Sequence, residues 1–330
     1  MLVLDRGRVR HLRRPGGVLI PRTLVTGALG CLGAWTIKAL LEDGDEPVGY
    51  DLGENDARLR LVLDEAQLER VTLVRGDIAD GAALGRTLDQ HDIDHVVHLA
   101  ALQVPFCRAD PAGGASVNVL GTVALFEAVK ERRDRIHGLA YASSAAVYSA
   151  ADPSPAPEAG GTSPATLYGV YKLANEGTAR IFWADEGVAS IGIRPYVVYG
   201  PGRDQGLTSG PSLAMAAAAR GEGFEIGYDG TVQYDFAPDV GRAFADAARA
   251  ATDGAHVANF PGERATTAEV VAAIEAAAPE VAGRVTWRDD RLPFPETLEA
   301  TALERLLGSL DRTPLAEGVR RTIAHFRARG

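Results

Sequence analysis

The sequence predicts an α/β fold in which a doubly wound parallel sheet is followed by a smaller C-terminal cap. Three observations carry this expectation. Short apolar strands alternate with helical patterns from Val18 to Gly202, which implies parallel strands with helices on both faces. Three spaced glycines, Gly27, Gly30 and Gly33, join the first strand to the first helix. Beyond residue 203 the alternation loosens into shorter elements. Right-handed crossovers bring the carboxyl ends of such strands to one edge, where ligands bind.

Composition narrows the classes. The chain has 330 residues, 46% hydrophobic and 24% charged, enough for a sizeable core. A net charge of −10 argues against nucleic acid or an anionic membrane as partner. No apolar run approaches the ~20 residues of a membrane span. Cys31 and Cys107 are the two cysteines. They offer neither a disulfide framework nor a metal cluster, and a reducing cytoplasm fits. Residues 1–17, with Arg6, Arg8, Arg10, Arg13 and Arg14 ahead of Pro15-Gly16-Gly17, read as a disordered basic extension. Residues 18–202 read as the sheet domain and 203–330 mainly as the cap, part of which returns to the sheet.

The elements follow in order. Val18, Leu19, Ile20, Leu24 and Val25 feed the glycine turn, and Ala34 to Leu41 continues as a helix. Strand, glycine turn and helix start make a pyrophosphate site: Gly27 permits the turn, Gly30 lets backbone approach phosphate, and Gly33 lets helix and strand pack. Pro47 to Asp51 is a second strand ending in an acid. At that place Asp51 would accept from ribose hydroxyls and repel a 2′-phosphate, which points to NAD rather than NADP. Residues 57–70 read as helical and Val71 to Val74 as a third strand, with Asp77 at its carboxyl end within reach of an adenine. A helix at 80–90 leads to a strand from Asp94 to Leu99, where His98 reads as a packed core residue and Ala100 and Ala101 leave room for a cofactor. Asp110-Pro111 opens a long helix through Asn118, Gly121, Phe126 and Val129, and Ile136 to Ala142 forms the fifth strand. After a Pro-, Gly- and Ser-rich loop at 152–164 comes a helix at 166–186, then a strand from Ser190 to Arg194. Later helices are expected near 209–220, 239–251, 267–277 and 314–328.

Tyr168 and Lys172 stand four apart, on one face of the expected helix. A free phenol has a pKa near ~10. A nearby ammonium lowers it, so that the tyrosine can exchange a proton with a substrate hydroxyl. Ser144, at a strand's carboxyl end, would hold the same oxygen and position the carbon for hydride transfer.

The set resembles the extended short-chain dehydrogenase/reductase family, the NAD-dependent epimerases and dehydratases with a Rossmann-type sheet. The resemblance rests on T-G-A-L-G-C-L-G (26–33), Asp51, G-D-I (76–78), H-L-A-A (98–101), N-V-L-G-T (118–122), S-S-A-A-V-Y (143–148), Y-G-V-Y-K (168–172) and R-P-Y-V-V-Y-G-P-G (194–202). It implies Ser144, Tyr168 and Lys172 as catalytic residues, with Tyr171 a neighbour only. It also implies NAD contacts from Gly27, Leu29, Gly30, Cys31, Leu32, Gly33, Asp51, Asp77, Ile78, Leu99, Ala100, Ala101, Asn118, Tyr168, Lys172 and Pro195. A homodimer is implied, pairing the helix from about 111 with the one carrying Tyr168.

Three departures bear on the substrate. Ala145 and Ala146 replace the Asp-Glu of family dehydratases, which argues against water elimination. Val197 stands where many sugar-nucleotide epimerases carry an Asn on the diphosphate, and Tyr234 where they carry an Arg. Both changes remove charge-assisted bonds to a dianion. Arg203 or Arg242 could substitute, and a free sugar or sugar acid is a second possibility. Gln103, Ser144, Val197, Arg203, Thr208, Ser209 and Tyr234 are the candidate substrate-facing residues. The leading expectation is an NAD-dependent epimerase acting on a sugar hydroxyl. Its rival is a dehydrogenase that releases NADH, and a non-catalytic NAD-sensing scaffold ranks last.

Overall fold

The structure, a computed structural model, describes residues 20–250 and 252–329. The Arg-rich start, Val18 and Leu19 lie outside the described residues. Among the described residues twelve strands run in chain order: β1 Arg22–Thr26, β2 Glu46–Asp51, β3 Thr72–Arg75, β4 His95–His98, β5 Gly138–Ala142, β6 Ser190–Arg194, β7 Val197–Tyr199, β8 Phe224–Ile226, β9 Thr231–Phe236, β10 Ala255–Asn259, β11 Glu263–Thr266 and β12 Val285–Trp287. Seven form one parallel sheet in the order β10-β6-β5-β4-β1-β2-β3. The order in which strands are added reverses between β1 and β4. That reversal opens a crevice at the strands' carboxyl ends.

The central strands are buried on both faces, as a covered parallel sheet requires. On one face Cys31–Glu42 and Ala237–Arg249 pack together over Val25, Val97 and Ile193. On the other, Leu24, Val96 and Tyr141 meet Phe126 and Leu125 from Gly121–Lys130. The chain beyond 203 contributes to both bodies. β10 extends the main sheet at β6, whereas β9 pairs with β7 and β11 around a separate core of Tyr199, Tyr228, Tyr234, Phe236 and Met215.

Four local expectations are corrected. Residues 57–70 form two short helices, Ala57–Val62 and Glu65–Leu68, because Asp64 caps the second through a capping box with Gln67 and interrupts the first. A further short helix, Val104–Ala109, precedes the long one. The long helix itself runs Pro111–Ala115, widens into a π turn at Ser116–Leu120, and continues as Gly121–Lys130. That stretch is also long and apolar enough to span a membrane by length and composition, contrary to the expectation that no run approaches this. Glu127 and Lys130 are its charged residues. Part of it is buried in the fold, while Leu120 is exposed.

Candidate active site

The crevice between the two halves of the sheet is a cleft of about 710 Å³. Its floor is the glycine turn. Gly27 has a φ of +70°, and a Cβ there would come within 2.7 Å of the Ala100 nitrogen, so the turn and the β4 edge touch backbone to backbone. A Cβ on Gly33 would overlap the Gly27 carbonyl. His98 fixes this edge from below. Its buried ring bonds the hydroxyls of Thr26 (2.7 Å) and Thr122 (3.0 Å), while Thr26 Oγ1 accepts from the Leu99 and Ala100 amides. Burial, reinforced by the Lys172 charge, drives its pKa down to about 3, so the ring is neutral. No side chain caps the start of Cys31–Glu42, whose first-turn N–H groups face the cleft.

Asp51, at the end of β2, accepts from the Leu29 amide with Oδ2 (3.0 Å) and from Gly53 with Oδ1 (3.0 Å). Each oxygen keeps lone pairs for further donors and has no proton to offer an anion. Two nearby guanidiniums are already engaged: Arg58 with Asp204 and Arg60 with Asp56. Asp77 caps its own turn through Ala79 (2.9 Å) and lines the same end of the cleft. From β2 across β1 and β4 to β5 is three strand spacings, about 14 Å. A ligand touching both Asp51 and Ser144 is therefore an extended one.

At the other end, Tyr168 and Lys172 project from Leu167–Glu186, which begins with a Thr166 cap on the Gly169 amide (3.0 Å). Tyr168 and Ser144 line this end together, and the Ser144 hydroxyl, which accepts from the Ala146 amide at 3.1 Å, favours the Tyr168 phenolate. Lys172 Nζ donates to the Ala142 carbonyl at 2.7 Å and lies 5.6 Å from the Tyr168 ring centroid. Burial lowers the lysine to about 8, against the pull of Cys107 and Glu176.

Tyr168 departs from expectation. Burial raises its phenol, and the opposing influences are the Ser144 hydrogen bond and the charge of Arg203, not of Lys172. The ammonium spends a hydrogen bond on the Ala142 carbonyl and lies 5.6 Å from the ring centroid. Arg203 is the cation that the hydroxyl feels.

Most of the expected cofactor residues line this cleft together: Gly27, Leu29, Gly30, Cys31, Leu32, Gly33, Asp51, Asp77, Ile78, Leu99, Ala100, Ala101, Tyr168, Lys172 and Pro195. Asn118 does not. It is buried in the π turn, where its amide donates to Leu102 O (3.1 Å) and Gly114 O (2.9 Å) and so ties the loop after β4 to the helix.

Among the substrate candidates, Gln103, Ser144, Arg203 and Thr208 reach the cleft. Arg203 Nη2 donates to Thr208 Oγ1 (3.2 Å), its buried Nε has no partner, and no carboxylate pairs with it among the described residues. Gln103 Oε1 is likewise buried without a partner. Val197, Ser209 and Tyr234 are corrected. Val197 and Tyr234 are register partners in the cap sheet with side chains in its core, and Tyr234 accepts from Tyr228. Ser209 turns its hydroxyl to the Gly206 carbonyl (3.0 Å). Arg242, the other cation considered, is bound to Asp43 and Glu42 at the far end of the first helix.

The sequence reading missed Arg58, Asp204, Tyr196, Phe106 and Phe294, all of which line the cleft. Tyr196 follows Pro195 within the quoted motif and could have been found. Phe294 arrives from a loop near the C-terminus with no local signal.

The model of the NAD dependent epimerase/dehydratase family matches residues 23–260. The UDP-glucose 4-epimerase of Mycolicibacterium smegmatis is 31% identical over 322 residues, covering 93% of this chain and 98% of that protein. UDP-glucuronate 4-epimerase 6 of Arabidopsis thaliana is 32% identical over 194 residues, which span 57% of this chain and only 41% of that protein. Among solved structures, the UDP-glucose 4-epimerase of Brucella ovis in complex with NAD is 26% identical with a TM-score of 0.75, covering 93% of this chain and 98% of that one.

Proposed function

Because the chain belongs to the NAD-dependent epimerase/dehydratase family, and NAD is accordingly its cofactor, we propose that it inverts a hydroxyl-bearing carbon of a UDP-sugar. The observation that carries this reading is the gathering of Ser144, Tyr168 and Lys172 at one end of an extended cleft, with Arg203, a guanidinium that no carboxylate pairs with among the described residues, in the same wall.

The residues present suit the cofactor. Asp51 accepts from ribose hydroxyls, and the uncapped helix start takes the pyrophosphate. Ala100 and Ala101 leave its path clear. NAD bound there supplies a hydride acceptor that gives the hydride back. Ser144 and Tyr168 hold the reacting hydroxyl between them, which fixes its carbon for transfer. Tyr168, as phenolate, removes the hydroxyl proton as the carbon loses hydride, leaving a keto sugar. Arg203 favours that phenolate by its charge. With a pKa of about 8, Lys172 is largely an ammonium at neutral pH. A keto sugar that turned over within the cleft would present its opposite face to the hydride donor, and Tyr168 would return the proton to its oxygen. Arg203 takes an anionic group of the substrate, with Thr208 and Gln103 beside it.

A second reading, net oxidation with release of NADH, draws support from Val197 and Tyr234. They stand where a diphosphate grip was expected and lie in the cap core. One assay separates the two. The protein with NAD is given UDP-glucose, UDP-glucuronate, uronic acids and free sugars, and NADH absorbance is read alongside NMR of the epimers. A new epimer without NADH supports epimerisation, whereas stoichiometric NADH overturns it.

The proposal takes the enzyme as a cytoplasmic homodimer. Its support is an apolar stripe of Leu167, Val170 and Ile181 beside exposed Leu120 on the adjoining helix. Sedimentation at micromolar concentration tests it: a mass of one chain overturns the dimer.

A further inference from the structure

We propose that Arg58 and Asp204 form a clasp across the cleft beside the glycine turn, and that this clasp sets how fast the dinucleotide leaves. The inference rests on the cleft being the NAD site. It does not depend on which sugar is the substrate.

Arg58 projects from Ala57–Val62, on the Asp51 side of the cleft. Asp204 lies on the loop that follows β7, next to Arg203 on the Tyr168 side. The guanidinium makes three bonds to that carboxylate: Nη2 to Oδ1 at 2.6 Å, and Nε to Oδ1 and Oδ2 at 3.1 and 3.2 Å. Its remaining nitrogen donates to the Leu29 carbonyl within the glycine turn at 3.2 Å. One side chain thus joins the pyrophosphate floor, one rim and the opposite rim.

The same loop is moored to the first helix by a buried bond, Trp35 Nε1 to Pro201 O at 2.9 Å. That mooring holds the base of the loop. The ion pair holds its tip, and there the side chains are 26% and 51% exposed. Solvent can therefore open the tip while the base stays closed. A ligand extended from Asp51 to Tyr168 passes the glycine turn at the clasp. The consequence for the reaction is direct. An epimerase must keep the reduced cofactor until the hydride is returned, and loss of NADH in between converts the cycle into net oxidation.

The test needs no sugar. Protein loaded with NADH is mixed with excess NAD in a stopped-flow instrument, and the loss of bound NADH fluorescence gives the release rate. It is measured for the wild type, Arg58→Met, Asp204→Asn and the double variant, in low and high salt, with thermal melting as the check on folding. An exposed ion pair of this kind predicts roughly two- to five-fold faster release in each single variant. The double variant should release no faster than either single. Added salt should speed the wild type and leave the variants unchanged. Release within 1.5-fold of wild type in Asp204→Asn, or independent effects that multiply in the double variant, would overturn the clasp. If Arg58→Met melts early, the Asp204→Asn rate and its salt dependence decide alone. Failure here leaves the epimerase reading standing, because NADH release is measured without turnover.

Discussion

Replacing Tyr168 by Phe removes one oxygen from the site, and the structure indicates what that oxygen does. In the protein Ser144 is the neighbouring hydroxyl that favours its phenolate. The ring, the Thr166 cap and the Lys172–Ala142 bond do not depend on it. A hydroxyl's hydrogen bonding contributes about 1 kcal/mol, so a chain of 330 residues should melt only about 1–2 °C lower. NAD should still bind, since the glycine turn and Asp51 are untouched. Turnover should suffer far more. A positioned acid–base group is worth roughly 10²–10⁴ in rate, or about 2.7–5.5 kcal/mol of barrier. The assay is initial-rate epimerisation by NMR on the best substrate of the panel, with NAD affinity titrated alongside. A kcat within tenfold of wild type would refute the role of the phenol. Ser144→Ala should then fall between the two, because the phenol would remain with its substrate oxygen less well placed.

Three further outcomes follow from particular contacts. Asp51→Ala should weaken NAD by roughly 10- to 100-fold, the worth of hydrogen bonds to a charged group, and should erode the preference over NADP; titration with both cofactors reads this, and an unchanged preference would mean the ribose is read elsewhere. Arg203→Met should raise KM for an anionic sugar by roughly tenfold or more, with little change for a neutral one. It should also move the rising limb of the pH–rate profile upward, since Arg203 is a charge that pulls the Tyr168 phenol down. His98 is a base whose folded pKa, about 3, lies below its ordinary 6.5. The unfolded chain therefore binds the extra proton first, and stability is full above pH 6.5 and lost as pH falls from there toward 3. Between pH 7.5 and 5.5 the loss from this group is about 1 kcal/mol. Urea melts of His98→Gln should lack that increment, and an identical pH dependence in the variant would remove His98 from the account.

The sheet was legible because its signals are local. β6 coincides with the expected Ser190–Arg194, and Leu167–Glu186 falls within one residue of 166–186. Turn glycines, apolar runs and strand-end acids act over a few residues, and so the cofactor half of the cleft could be read from them. The misses have equally physical causes. Asp64 is a capping residue inside a helical-looking stretch, and its capping box split what periodicity alone read as one helix. The π turn at Ser116–Leu120 leaves the apolar pattern intact, so nothing in spacing marks it. β7 has only three residues, and it pairs with β9 across 37 residues, Val197 with Tyr234 among others. Such partners are chosen by tertiary packing.

The same distinction explains why the substrate half was read less well. Aligning motifs treated Val197 and Tyr234 as contacts because of where they stand in the chain, but a β residue faces the site or the core according to its pairing register. One step along a strand exchanges the two faces. Val198, the next residue after Val197, does line the cleft. Arg203 and Asp204 reach the site from a loop, where no register dictates direction, and they divide the work of one turn. Arg203 keeps its guanidinium unpaired toward Tyr168, while Asp204 spends its carboxylate on Arg58. Exchange of the two partners would cost both functions: were Asp204 to pair with its neighbour Arg203 instead, the phenol would lose a positive charge that lowers its pKa and the cleft would lose its bridge. The geometry that keeps these adjacent opposite charges apart is therefore as much a part of the proposed chemistry as the juxtaposition of Tyr168 and Ser144.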